Sequence, residues 1–310
     1  MASYSLINDI IFKIVFGTET NRPLLRALLN ALLGLAGEDR ITELTILNPL
    51  IDKEYMLAKD AVLDVKARDG RGHQYNIEVQ LTCERSYVAR AIYYLSRLYT
   101  SQLDKGEPYS KLSRTIGISL VDFELIPGLE DLHSRYRFYD EVHGRELTDI
   151  LELHFIELAK FRGDKPRGLR SPFEKWLHVL KFGDVLYGDR ESAIPEELRE
   201  EEGIEMALEA MRNASASEQV REMIEFRRKA EHDEATRLES ARLKGLEEGQ
   251  ELGRKAGQEE GREEGREEGQ ELGRKAGQER LKAVARNLRE SGMDIETVRR
   301  MTGLDAGDID

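Results

Sequence analysis

Two short segments of this chain place carboxylates where carboxylates are hard to solvate. Val62-Leu63-Asp64-Val65 is followed by the polar run Arg68-Asp69-Gly70-Arg71-Gly72, and then by Tyr75-Asn76-Ile77-Glu78-Val79-Gln80. Apolar and polar residues alternate on both sides, and Asp-Gly between them signals a hairpin. The spacing predicts two neighbouring strands with Asp64 and Glu78 set inside apolar runs. A carboxylate there is disfavoured unless something pairs with it. Two of them side by side repel, and a shared cation is the simplest remedy. Hard oxygen ligands favour Mg2+ or Mn2+. The bland alternative is a pair of outward-facing or structural acids, and the residues alone leave both readings open.

An Asp on one strand followed by Glu-x-Gln on the next resembles the PD-(D/E)xK nuclease superfamily, with Gln80 where lysine is usual. The Glu-x-Gln form is similar to the transposase-linked, recombination-promoting nuclease branch. More of the chain agrees with that branch. The opening segment is Asn8-Asp9-Ile10-Ile11-Phe12-Lys13-Ile14-Val15-Phe16-Gly17. A later helix carries Arg90-Ala91-Ile92-Tyr93-Tyr94-Leu95-Ser96-Arg97-Leu98-Tyr99, and the next strand is Thr115-Ile116-Gly117-Ile118-Ser119-Leu120-Val121-Asp122-Phe123. The resemblance covers about residues 5–160, with a further match at the C-terminus.

The resemblance implies a DNA substrate and a metal held by Asp64, Glu78 and the backbone carbonyl of Val79. A bound Mg2+ both activates water and neutralises charge on phosphate oxygens. Gln80 lacks the full charge of a lysine, yet an amide still donates and accepts hydrogen bonds and can orient water. The positive charge then needs another source. Lys13, in the matched opening segment, is one candidate, and its other reading is a surface helix lysine with its stem on the core. Asp9, one turn earlier, reads either as a further acid of the site or as a helix-capping residue. Arg90 and Tyr94 share a helix face at i and i+4. The resemblance places that helix beside the acids, where Arg90 would meet phosphate and Tyr94 would line the cleft. Tyr93, Tyr94 and Tyr99 read equally well as core residues. The six histidines show no zinc-ligand spacing, and no G-x-x-x-x-G-K loop is present.

The elements that must position these groups follow from periodicity. Ile10, Ile11, Ile14 and Val15 predict a helix, Pro23 starts a second, and Gly34 ends it. A strand is expected over 41–50, ending at Asn48-Pro49. The hairpin follows, then a helix over 84–104 broken by Gly106-Glu107-Pro108. Strands are expected over 115–123, 135–142 and 150–158, and a helix over 171–190 around the only tryptophan, Trp176. This order suits an α/β fold, a mixed sheet flanked by helices. The resemblance implies that it is restriction-endonuclease-like.

Composition divides the chain. Of its 310 residues, 40% are hydrophobic and 35% charged, with a net charge of −13. Residues 1–190 carry 26 Lys+Arg and 28 Asp+Glu, whereas 191–310 carry 21 and 32. The acidity that would repel DNA therefore lies in the last third. Lys160, Arg162, Lys165, Arg167, Arg170 and Lys175 form a candidate phosphate patch, but read more naturally as a solvated loop and helix start. Cys83 is the only cysteine, so no internal disulfide forms, which suits a reducing cytoplasm. No signal peptide and no membrane span are expected.

The expected domains are a nuclease domain over 1–190, a charged helical linker over 191–280, and a small helical module over 281–310. Within the linker, glycine recurs every fourth residue from 245 to 277, and Gly-Gln-Glu-Leu-Gly-Arg-Lys-Ala-Gly-Gln-Glu occurs at 249–259 and again at 269–279. Nine glycines cost about 1 kcal/mol each relative to alanine, while pairs such as Glu251 with Lys255 return only ~0.2–0.5 kcal/mol. Either a second backbone approaches the glycine track, or the segment is a polar tether. Two short amphipathic helices around Gly292 are expected to end the chain. The whole predicts a cytoplasmic Mg2+-dependent DNA endonuclease, linked to recombination, mobile elements or defence, that self-associates through its C-terminal helical region. Its rivals are a catalytically silent DNA- or protein-binding member of the same fold and a self-associating scaffold.

Overall fold

The computed structural model describes residues 4–49 and 64–309. Val62 and Leu63, the first half of the expected first hairpin strand, lie outside the described residues, as does Leu50. Two compact units are present, Met1–Glu231 and His232–Asp310.

In the first unit, α1 (Asp9–Phe16) is capped by the Asn8 side chain, which accepts the Ile11 N–H at 3.2 Å. Asn8, not Asp9, is therefore the cap. α2 (Arg22–Leu33) carries Pro23 in its first turn and stops at Gly34, whose φ of 65° suits the left-handed helix end. β1 is only Leu44–Ile46, shorter than expected. After Leu47 donates to Lys66 O, the Asn48 side chain rather than its backbone accepts the Lys66 N–H, at 2.7 Å. The ladder ends there because a side chain has replaced its next rung.

β2 (Val65–Asp69) and β3 (Gln74–Gln80) form the expected hairpin, with the turn shifted towards His73. The Asp69 carboxylate sets it by accepting the Arg71 and His73 N–H groups, both at 2.9 Å. α3 (Tyr87–Thr100) follows, then β4 (Thr115–Val121), β5 (His133–Asp140) and β6 (Arg145–Glu157). The sheet order is β1-β2-β3-β4-β6-β5. β3, β4 and β6 run parallel, and the outer strands are antiparallel to their neighbours. This is the expected mixed sheet.

Alternation assigns each face of the sheet a layer. Val65, Ala67, Tyr75, Ile77, Ile116, Ile118 and Leu120 pack against α1, α2, α4 (Pro172–Tyr187) and α6 (Ile204–Ala216), with α5 (Glu196–Arg199) between the last two in the chain. Leu198, Ile204, Leu208, Met211, Met223 and Ile224 join this core. They fall in the stretch read from composition as charged. A smaller cluster of Tyr87, Ala91 and Leu95 from α3 with Val121, Leu153 and Phe155 covers the other face. Helices on both sides leave the carboxyl ends of β3, β4 and β6 as the natural place for a site.

α7 (Glu218–Glu290) reaches into the second unit. There the expected first tail helix is the end of α7, and α8 (Ile295–Thr302) is the second. Ala285, Val298 and Ile309 form a small core between them. Among the described residues no helix is long and apolar enough to cross a membrane.

Candidate active site

β2 and β3 pair with Val65 opposite Ile77. Carried one residue further, that register sets Asp64 opposite Glu78. Both side chains share a face with Lys66, Asn76 and Gln80, away from the main core. Ser119 of β4 is paired with Glu78 on the third strand. The hairpin thus does what the alternation required, with apolar residues in the core and the acids on the α3 side.

Asp64 is 3% exposed. Its Oδ1 accepts Asn48 Nδ2 at 3.1 Å, and its backbone carbonyl accepts Asn48 Nδ2 and Lys13 Nζ at 3.1 and 2.7 Å. Oδ2 is buried without a hydrogen-bond donor, although Lys66 Nζ lies 3.3 Å away at ion-pair range. Burial pushes this carboxyl above its usual pKa, against the opposing charges of Lys66 and Lys13. Glu78 is raised too, again by burial first, with Arg90 opposing and Asp64 adding to it. Asp64 therefore raises the demand for a counter-charge at Glu78.

Lys13 is 2% exposed, and its Nζ donates to the backbone carbonyls of Asn48 and Asp64 at 2.8 and 2.7 Å. Burial lowers its pKa to about 8, Asp64 opposing and Lys66 adding to the shift. It is therefore not a surface lysine: it is buried directly behind Asp64. Asp9 does not join the site. Its Oδ2 pairs with Arg227 at 3.0 Å.

Arg90 reaches the acids from α3. Its Nη2 donates to Glu78 Oε1 at 3.1 Å and to Gln80 Oε1 at 2.5 Å, and its Nη1 donates to Glu84 Oε2 at 2.9 Å. Gln80 Nε2 donates to Thr82 O at 3.0 Å and Glu84 Oε1 at 3.2 Å. Tyr94 is half-buried at the rim, and its hydroxyl pKa is raised by burial and then by the charge of Glu78. Tyr93 is exposed rather than part of the core. The Val79 side chain packs against the main core, on the other face from Glu78 and Gln80.

Three residues of this arrangement escaped the sequence reading. Lys66 had a signal, since position 66 shares the face of Asp64 on any strand. Asn48 read as a strand end before proline, and Glu84 gave no signal, because loops reveal their partners only in three dimensions. The basic run behaves as a loop and helix start. Lys160 pairs with Glu157 at 2.8 Å, Lys175 with Glu201 at 3.6 Å and Arg167 with Glu197 at 3.8 Å, and Arg162 donates to Ala159 O at 2.8 Å.

The donor set fits a hard divalent cation. Asp64 Oδ2 and Asn76 Oδ1 are buried oxygens without a hydrogen-bond donor among the described residues, on the same face. No three His, Cys, Asp or Glu side chains converge among the described residues. Two carboxylates with water completing the shell is how Mg2+ is commonly held.

The family model described as PD-(D/E)XK nuclease family transposase matches residues 6–241. No curated protein and no solved structure matches the chain.

Proposed function

Since the chain belongs to the PD-(D/E)XK nuclease family transposases, we propose that it is a DNA endonuclease that hydrolyses phosphodiester bonds with Mg2+, or Mn2+ in its place. The observation that carries this reading is the cross-strand pair of Asp64 and Glu78, with Asp64 Oδ2 buried and lacking a donor. A cation there supplies an activated water and neutralises charge on the phosphate. Asp64, Glu78 and the Val79 carbonyl are its proposed ligands. Lys13 fixes the Asp64 main chain and adds positive potential behind it. Gln80 belongs to the catalytic group through its hydrogen bonds beside Glu78. Arg90 meets the phosphate, and Tyr94 lines the path of the DNA.

The C-terminal helical region takes no part in the chemistry. Residues 245–280 hold 11 Glu against 7 Lys+Arg, a balance that repels phosphates. We assign it to self-association with a second copy. A Cβ added at any of the nine repeat glycines would meet nothing within 4 Å, and Leu246, Leu252 and Leu272 are exposed along the same helix. The exposed, lone Cys83 suits a reducing cytoplasm. Recombination, mobile elements or defence are the settings that such an activity serves.

The test is supercoiled plasmid incubated with the full chain in Mg2+, in Mn2+ and in EDTA, beside Asp64→Asn and Glu78→Gln. Nicked or linear product with metal only, absent in both variants, is expected. Cleavage that survives EDTA or both substitutions overturns the assignment.

A further inference from the structure

Gln80 is tied at both ends of its amide. Its Oε1 accepts Arg90 Nη2 at 2.5 Å, and its Nε2 donates to Thr82 O and Glu84 Oε1. Both of its N–H groups are spent on the protein, so it has none left to give a water. What it does hold is a guanidinium. Arg90 spans Glu78 Oε1, Gln80 Oε1 and Glu84 Oε2, and its Cζ lies 5.1 Å from the Tyr87 ring centroid. Planar, permanently charged and held on two sides, it has the character of a phosphate-binding group. Nη1 makes one hydrogen bond, to Glu84, and so keeps a second N–H.

We propose that the cation that meets the scissile phosphate comes from helix α3 rather than from strand β3: Arg90 supplies it, beside the charges that Lys13 and Lys66 place at Asp64, and Gln80 is its positioning residue. The inference rests on the nuclease reading and refines it. A lysine at position 80 would bring a second cation to hydrogen-bond distance of Arg90, where like charges repel. Glutamine at 80 and arginine at 90 are then a matched pair, and the residue that departs from the lysine pattern is the one Arg90 requires. Glu78 keeps its second oxygen for a cation, because Arg90 engages Oε1 alone.

The experiment is a charge exchange in the full chain, comparing wild type, Arg90→Gln, Gln80→Lys and the double variant Gln80→Lys/Arg90→Gln. Plasmid cleavage gives one readout. The second needs no metal: binding of a fluorescent DNA duplex in EDTA across a salt series. Each single variant should cleave about 10-fold or more slowly, and the double variant should cleave faster than either. In EDTA the log–log salt slope should fall by about one phosphate contact in Arg90→Gln and return in the double variant. Thermal melting identifies a variant that does not fold. In that case Gln80→Met, which removes the amide without adding charge, should show the same loss of slope. Gln80→Lys as active as wild type, a double variant no better than the worse single, or a slope unchanged in Arg90→Gln overturns the proposal. Should the wild type itself cleave nothing, the nuclease reading fails, and the salt slopes still decide whether Arg90 contacts phosphate.

Discussion

Two carboxylates of this protein are equally buried and oppositely treated. Glu152 on β6 and Asp64 before β2 are both 3% exposed. Glu152 shares the core face of Ile116 and Tyr75. It accepts Arg114 Nη2 at 2.7 Å, His154 Nε2 at 2.5 Å and the Arg137 Nε. Burial pushes its carboxyl up, but hydrogen bonds from His154, Arg114 and Arg137 together hold it well below the usual range. Beyond it, His133 Nε2 meets His154 Nδ1 at 2.7 Å, so the chain of donors continues. Asp64 has one oxygen satisfied by Asn48, the other without a donor, and a pKa raised by burial. One carboxylate has its oxygens closed by hydrogen bonds from protein donors. The other has Lys66 Nζ at 3.3 Å and Lys13 behind it but keeps one oxygen without a hydrogen-bond donor among the described residues, and burial still holds its pKa up. Burial alone does not distinguish a structural acid from a functional one, whereas the completeness of its partners does.

The largest expected effect is on cleavage. Asp64→Asn should lower it by more than the ~10–100-fold typical of losing an outer-shell partner, whereas Glu152→Gln should leave it near wild type in a plasmid assay at a temperature where both fold. Equal losses would erase the distinction between the two acids.

Stability should show the reverse order. Glu152→Gln removes charge-assisted hydrogen bonds and should cost about 2–3 kcal/mol in urea unfolding. Metal-free Asp64→Asn should lose nothing or gain. The pH dependence gives the signs. The depressed pKa of Glu152 contributes stability that is present above the ordinary glutamate pKa of 4.5 and lost as pH falls below it. The raised pKa of Asp64 means that the folded state loses stability as pH rises above the ordinary aspartate pKa of 3.8. Relative to wild type, the deficit of Glu152→Gln and any gain of Asp64→Asn should therefore both be largest near neutral pH and shrink in acid. A gain from Glu152→Gln at pH 7 would contradict this.

Asn48 tests how Asp64 is held. It binds the Asp64 carboxylate and carbonyl and accepts the Lys66 N–H. Asn48→Ala should weaken cation affinity ~10–100-fold with the fold retained, as read by calorimetry and circular dichroism. An unchanged affinity would make Asn48 a mere end to β1.

How far the sequence reveals this follows from what each signal depends on. Alternation around Asp64 and Glu78 is local, and it marked both the hairpin and the face that carries the acids. Pro23 and Gly34 marked the bounds of α2 for the same reason. The extent of β1 was not legible, because it depends on the Asn48 side chain meeting Lys66, a contact made across the sheet. Composition was a poor guide beyond residue 190. Leu198, Leu208 and Met211 are spaced among charges, and only folding gathers them against α1 and α4. Glu152 was invisible as a structural acid, since its two arginines and its second histidine come from other strands or their ends.

The smallest expected effect lies in the repeat. Gly265→Ala places a Cβ in open space within its own chain and should stabilise the helix by roughly 0.5–1 kcal/mol. If a second copy approaches the glycine track, the same methyl should weaken association in sedimentation while helicity rises. Unchanged association would reduce the repeat to a tether.

The most direct measurement is a calorimetric titration of Mn2+ into wild type, Asp64→Asn and Glu152→Gln, each stripped of metal. Wild type and Glu152→Gln should bind, and Asp64→Asn should not bind over the same concentration range. Binding to Asp64→Asn equal to that of wild type would contradict the claim that the acid with one oxygen left without a hydrogen-bond donor is the one that holds the ion.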